Sequence, residues 1–141
     1  AVTRLSRVGF DNTLGYLNGG IDSWKLAGFE TDSIHSVTAE SFVRENPKET
    51  VIDARKPSEF ISEHLIGAKN IPLDELNNLL NEIPKEETFY IHCQGGYRSL
   101  IMASILKSRG FHNLINIEGG IVALKKSNAT ISAYICPSQL K

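Results

Sequence analysis

Apolar residues fall in short runs and helical stripes that alternate along most of the chain. Thr50-Val51-Ile52-Asp53, Phe89-Tyr90-Ile91-His92 and Leu114-Ile115-Asn116-Ile117 are brief apolar or β-favouring runs and predict buried strands, with Lys69-Asn70-Ile71 a weaker fourth. The stretches between them predict helices. Thr38 is placed to cap one running through Val43, and Pro57 precedes a short one over Ser58 to Glu63. Leu76, Leu79, Leu80 and Ile83 recur at helical spacing, predicting a helix from Leu73 to Glu82 that Pro84 stops. From Arg98 to Arg109, Leu100 or Ile101 joins Ala103, Ile105 and Leu106 on one broad face, and Gly110 stands where a C-terminal cap belongs. This alternation predicts an α/β domain with a mostly parallel central sheet flanked by helices on both faces.

A second pattern sets the N-terminal segment apart. Gly9-Phe10-Asp11-Asn12, followed by Gly19-Gly20-Ile21, returns as Gly110-Phe111-His112-Asn113, followed by Gly119-Gly120-Ile121, offset by 101 and then 100 residues. Such an offset is too long for a solenoid repeat and suits two consecutive copies of one domain, with coincidence in a chain of 11 glycines as the alternative. The expected division is residues 1–32 as the tail of an upstream domain plus linker, 33–128 as a complete domain, and 129–141 as a C-terminal extension. A severed tail keeps Tyr16, Leu17, Ile21, Trp24 and Leu26 without their original core, so residues 8–28 are expected to pack on this domain or on a neighbouring chain.

Composition narrows the classes. A chain of 141 residues with 41% hydrophobic content can bury one sizeable core. Its net charge of -1, from 15 basic and 16 acidic residues, gives no footprint for nucleic acid or an anionic membrane. No apolar run approaches the roughly 20 residues of a membrane-spanning helix and no leader-like segment stands at the start, so a soluble, cytoplasmic protein is expected. Cys93 and Cys136 form no metal-spaced cluster, and no two of the four histidines have ligand spacing, so neither metal nor cofactor is expected. A single bridge between the cysteines stays open beside the alternative of one reactive thiol and one exposed bystander, Cys136.

The candidate chemistry lies where the strand ending at His92 runs into Cys93-Gln94-Gly95-Gly96-Tyr97 and a helix opens at Arg98-Ser99. In an open α/β sheet the binding crevice lies beyond the carboxyl ends of the strands. A loop this short can aim several backbone N–H groups at one point, and two glycines permit the positive φ angles such a cradle needs. Cys93 at its base is then surrounded by amides, a helix N-terminus and the Arg98 guanidinium, all of which favour thiolate. Alone, a cysteine after a buried strand reads as an inert small hydrophobe; the glycines and Arg98 at this spacing reverse that reading. His92 points to the opposite strand face and is a poor base. His35 and His112 read as surface residues, His64 as a turn anchor, and Tyr97 as an exposed wall of the site.

From Ser33 to Ser127 the chain resembles the rhodanese homology domain. The resemblance rests on Asp53-Ala54-Arg55, Glu59-Phe60, His64, Gly67-Ala68, Ile71-Pro72, Cys93 through Ser99, Gly110-Phe111 and Gly119-Gly120, in that order. It implies a rhodanese-like fold and transfer of sulfane sulfur through a persulfide on Cys93. It also implies that the amides of Gln94, Gly95, Gly96, Tyr97, Arg98 and Ser99 cradle the sulfur, with Arg98 as cationic partner. The partners implied are a small anionic sulfur donor, thiosulfate or a low-molecular-weight persulfide, and a thiol or cyanide-like acceptor. Asp53 and Arg55 either orient Arg98 or meet the donor, or else form a structural salt bridge beneath the loop. Two departures stand out: Glu63 replaces a glycine common before the histidine, and Leu124 replaces a tryptophan that the N-terminal echo retains as Trp24. The stretch from Arg7 to Trp24 further resembles the end of the first rhodanese copy in proteins that join a metallo-β-lactamase-like persulfide dioxygenase to tandem rhodanese domains. That implies an upstream metallo-β-lactamase-like domain in the same polypeptide, which would carry the metal.

Two rival readings remain. Phosphatase or arsenate-reductase chemistry in related folds uses five residues between cysteine and arginine, where this loop has four, Gln94 to Tyr97, and so a smaller pocket. A non-catalytic docking module is the other, disfavoured by the presence of Cys93.

Overall fold

The computed structural model describes residues 2–6 and 12–136, and the chain divides into two units, Ala1–Ser33 and Ile34–Lys141. The first half of the sequence echo, Gly9-Phe10-Asp11, lies outside the described residues, as do Pro137 to Lys141.

In the larger unit the β-favouring runs become strands as expected: β1 (Ser36–Val37), β2 (Thr50–Asp53), β3 (Lys69–Asn70), β4 (Phe89–His92) and β5 (Leu114–Ile117). They form one sheet in the order β1-β5-β4-β2-β3, every pair parallel. β1 has no counterpart among the strands the sequence predicts: a two-residue edge strand carrying a serine is too short to show alternation. The smaller unit carries helices α1 (Val2–Ser6) and α2 (Gly20–Leu26). The larger one carries α3 (Ala39–Glu45), α4 (Pro57–Ser62), α5 (Tyr97–Ser108) and α6 (Gly120–Lys126). Thr38 caps α3 as expected, its Oγ1 accepting the Ser41 N–H at 3.2 Å.

Successive strand side chains point to opposite faces, and the core divides accordingly. Ile52, Ile91 and Leu114 join Met102, Ala103 and Leu106 of α5 in one cluster, whereas Val51, Tyr90 and Ile117 join Phe42 of α3 and Leu124 of α6 in another. Helices therefore cover both faces. Each such Leu, Ile or Phe contributes about 1.5–3 kcal/mol by leaving water.

The predicted helix from Leu73 to Glu82 does not form. Two 3₁₀ turns, Leu73–Glu75 and Leu80–Glu82, replace it. Leu76 and Ile83 are buried as the spacing implied, so the periodicity reports which residues face the core although the backbone between them is not a continuous helix. After α6 the chain runs antiparallel to residues 62–66: Ile66 N–H donates to Thr130 O at 2.9 Å and Ser132 N–H to His64 O at 2.8 Å. No helix among the described residues is long and apolar enough to cross a membrane.

Candidate active site

β4 lies in the middle of the sheet, so its last residue delivers Cys93 to the centre of the crevice at the carboxyl edge. The chain then turns through Gln94-Gly95 into Gly96, whose φ of +102° requires glycine and which caps α5. Gly95 does not take a positive φ, so one glycine rather than two makes the turn. The Gly96 N–H donates to Cys93 Sγ at 3.2 Å.

Cys93 is 1% exposed. Burial alone pushes its thiol pKa up, but the Ser99 amide and hydroxyl and the Gly96 and Gly95 amides outweigh it and hold the thiol below its ordinary value. Ser99, itself buried, has its Oγ 3.1 Å from Gly96 O, so the loop carbonyl and the Cys93 sulfur compete for its one hydroxyl proton, and the sulfur draws it more strongly as a thiolate. The loop is therefore a cradle for a negatively charged sulfur, built of backbone rather than of a dedicated base.

Asp53 and Arg55, both buried, sit at the end of the neighbouring strand β2. The Arg55 guanidinium donates to the Asp53 carboxylate from Nε at 3.0 Å and Nη2 at 2.7 Å, and Nη2 also donates to Glu63 O at 2.7 Å. Its Nη1 reaches the loop at Gln94 Oε1, 3.4 Å away. The pair is thus a satisfied buried ion pair that touches the loop through Gln94 and makes no bond to Arg98.

Arg98 is held instead by Glu59, in a bidentate pair at 2.6 and 2.8 Å. Glu59 also accepts the Lys56 N–H at 3.2 Å at the start of α4, and Arg98 above all pulls its carboxyl pKa down. In the sequence Glu59 stands out only as part of the Glu59-Phe60 motif, with no role legible for it, because its pairing with Arg98 joins residues 39 apart and has no local signature. Beside the loop, Arg55, Ser58, Glu59, Ser62, Glu63 and Gln94 line a cleft of ≈ 330 Å³.

The Gly119-Gly120 motif also belongs to the site. The Ile121 and Val122 N–H groups at the start of α6 donate to the carbonyls of Cys93, at 2.8 Å, and Gln94, at 3.3 Å. A Cβ on Gly120 would collide with the Cys93 carbonyl oxygen. This clamp fixes the outward side of the loop while the inward amides face the sulfur.

The remaining candidates fall into supporting positions. His64 donates from Nδ1–H to Phe60 O at 2.8 Å and stacks on the Phe60 ring, as a turn anchor would. His92 is fully buried, its Nδ1 3.3 Å from Cys93 O, and burial, opposed mainly by Asp53, pushes its pKa down. His35, His112 and Tyr97 are exposed, as expected. Glu63 needs no strained turn: its φ of −170° is extended backbone, and its carboxylate takes Lys125 Nζ at 2.6 Å. Leu124, at the position where the resembled pattern has tryptophan, is fully buried. Cys136 is exposed, neither cysteine forms a disulfide, and no cluster of metal-ligating side chains exists among the described residues.

Comparison with known proteins agrees with the fold. The family model for the rhodanese-like domain matches residues 38–127. The uncharacterized protein YqhL of Bacillus subtilis is 38% identical over 85 residues, covering 60% of this chain and 68% of that protein. A sulfurtransferase of Allochromatium vinosum is 29% identical over 83 residues, covering 59% and 78%. This chain spans about half the length of two further curated relatives. Among solved structures, a rhodanese-related protein from Thermoplasma volcanium superposes with a TM-score of 0.64 at 26% identity, covering 70% of this chain and 97% of that one.

Proposed function

Because this chain belongs to the rhodanese-like domain family, we propose that it moves sulfane sulfur from a small anionic donor to a thiophilic acceptor through a persulfide on Cys93. The Cys93 thiolate attacks the outer sulfur of thiosulfate or of a low-molecular-weight persulfide. A new S–S bond forms, and sulfite or the donor thiolate leaves with the electron pair of the broken one. An acceptor thiolate or cyanide then attacks the outer sulfur and Cys93 leaves as thiolate, so no external oxidant or reductant is consumed. The Gly95, Gly96 and Ser99 amides hold the negative sulfur through both steps, and Arg98, its plane fixed by Glu59, meets the anionic end of the donor.

The observation that carries this reading is the Gly96 N–H on Cys93 Sγ at 3.2 Å, in a loop whose donors keep a buried thiol acidic. The near-complete burial of Cys93 favours a donor that delivers one sulfur atom over a bulky electrophile. In the fused arrangement that the sequence resembles, an upstream metallo-β-lactamase-like domain would draw on the same persulfide pool.

Intact mass after incubation with thiosulfate, and separately with glutathione persulfide, tests the proposal. The expected result is a one-sulfur adduct that cyanide removes as thiocyanate and that Cys93→Ser lacks. An unmodified Cys93 with both donors sinks it and turns attention to a docking module or an oxyanion-directed enzyme.

A further inference from the structure

The smaller unit repeats, at an offset of 100 residues, the backbone that closes the larger one. Gly19 (φ +80°) and Gly20 (φ +60°) start α2 as Gly119 (φ +71°) and Gly120 (φ +58°) start α6. Three of the bonds that follow recur at the same offset: Ser23 N–H to Gly19 O at 3.5 Å against Ala123 to Gly119 at 3.3 Å, Ala27 N–H to Ser23 O at 3.1 Å against Ser127 to Ala123 at 3.0 Å, and Phe29 N–H to Trp24 O at 3.3 Å against Ala129 to Leu124 at 3.1 Å. Both helices end on a residue in the left-handed region, Gly28 at φ +76° and Asn128 at φ +60°. A pair of left-handed residues, a seven-residue helix and a left-handed stop in the same register are too many coincidences for chance glycines.

Burial is where the copies part. Leu14 is 92% exposed and its counterpart Leu114 in β5 is 4% exposed. Leu17, Ile21 and Trp24 are likewise exposed, whereas Ile117, Ile121 and Leu124 are buried. What covers an apolar stripe of this shape is visible in the larger unit. β5 lies between β1 and β4, and Leu124 packs in the cluster that holds Phe42 of α3.

We infer that residues 14–28 are the last strand and last helix of a second rhodanese-like module, and that their apolar face is the docking surface for the body of that module. Strand and helix come last in the module, so the body belongs before residue 12 in the same polypeptide. Leu14 and Leu17 would enter its sheet between two parallel strands, and Ile21 and Trp24 would fill the cluster beneath its closing helix. The inference rests on fold and not on sulfur chemistry.

A graft tests it. In the full chain, Leu114–Asn128 is replaced by the sequence Leu14–Gly28, with the original Trp24→Phe so that the grafted tryptophan is the sole one. A second graft carries leucine at the tryptophan position in case that site is overpacked. The expected result is cooperative urea unfolding of at least one graft, the leucine graft followed by circular dichroism; in the tryptophan graft, once folded, the grafted tryptophan is expected to be blue-shifted and quenched by acrylamide several-fold less than Trp24 in the parent chain. Loss of cooperative unfolding in both grafts, or a folded graft whose tryptophan stays solvent-exposed, overturns it.

Discussion

At Cys93 burial and hydrogen bonding pull in opposite directions, and the loop donors win. The sign of the pH dependence follows. The thiolate fraction, and with it the rate of sulfur uptake, falls as pH drops through a thiol pKa held below that of an ordinary cysteine. Ser99 supplies two of the donors responsible, and only its hydroxyl can be removed by mutation. Ser99→Ala is expected to move the pH–rate profile to the alkaline side and to cost about 1 kcal/mol of stability for the lost buried hydrogen bond. Stopped-flow loading across pH measures the first and urea unfolding the second; an unmoved profile would mean that the amides alone set the thiol. The cysteine, its glycine turn and Arg98 were legible in the sequence because they are contiguous. The Glu59–Arg98 pair and the Ile121 contact with the Cys93 carbonyl were not, because both join residues far apart in the chain.

At the scale of elements, hydrophobic spacing reported burial more faithfully than it reported secondary structure. Leu76 and Ile83 are buried as their period demanded, yet the segment is two 3₁₀ turns, whose side chains fill the core without a continuous helix. The strands were legible from β-branched and aromatic runs, apart from β1, too short to carry a pattern. The start of α6 is the element on which the loop depends most. Gly120→Ala meets both a positive φ, costing about 1–2 kcal/mol, and a collision with the Cys93 carbonyl. A displaced loop is expected to slow sulfur loading by roughly a hundredfold. Gly20→Ala carries the same backbone penalty but meets nothing within 4 Å, and should leave loading unchanged. Parallel mass-resolved loading rates decide it, and equal rates for the two variants would separate α6 from the loop's chemistry.

For the molecule as a whole, the two units differ in how much apolar surface they bury. The single tryptophan, Trp24, lies in the smaller one, where it packs against the Phe29 ring at a tilt of 38° and donates from Nε1 to Glu30 O at 2.8 Å. A short helix with no buried residue has little to hold it. Tryptophan emission should therefore respond to urea at lower concentration than far-ultraviolet circular dichroism, which the larger unit dominates; coincident transitions would contradict this. The sheet has a further consequence through the order in which its parts are made. Cys93 and its cradle are translated before Ile121 and Val122, whose amides hold the loop from outside. On the ribosome the Cys93 thiol is thus synthesised first and positioned last. A nascent chain stalled before α6 carries every residue of the loop and still lacks the geometry that gives the loop its use.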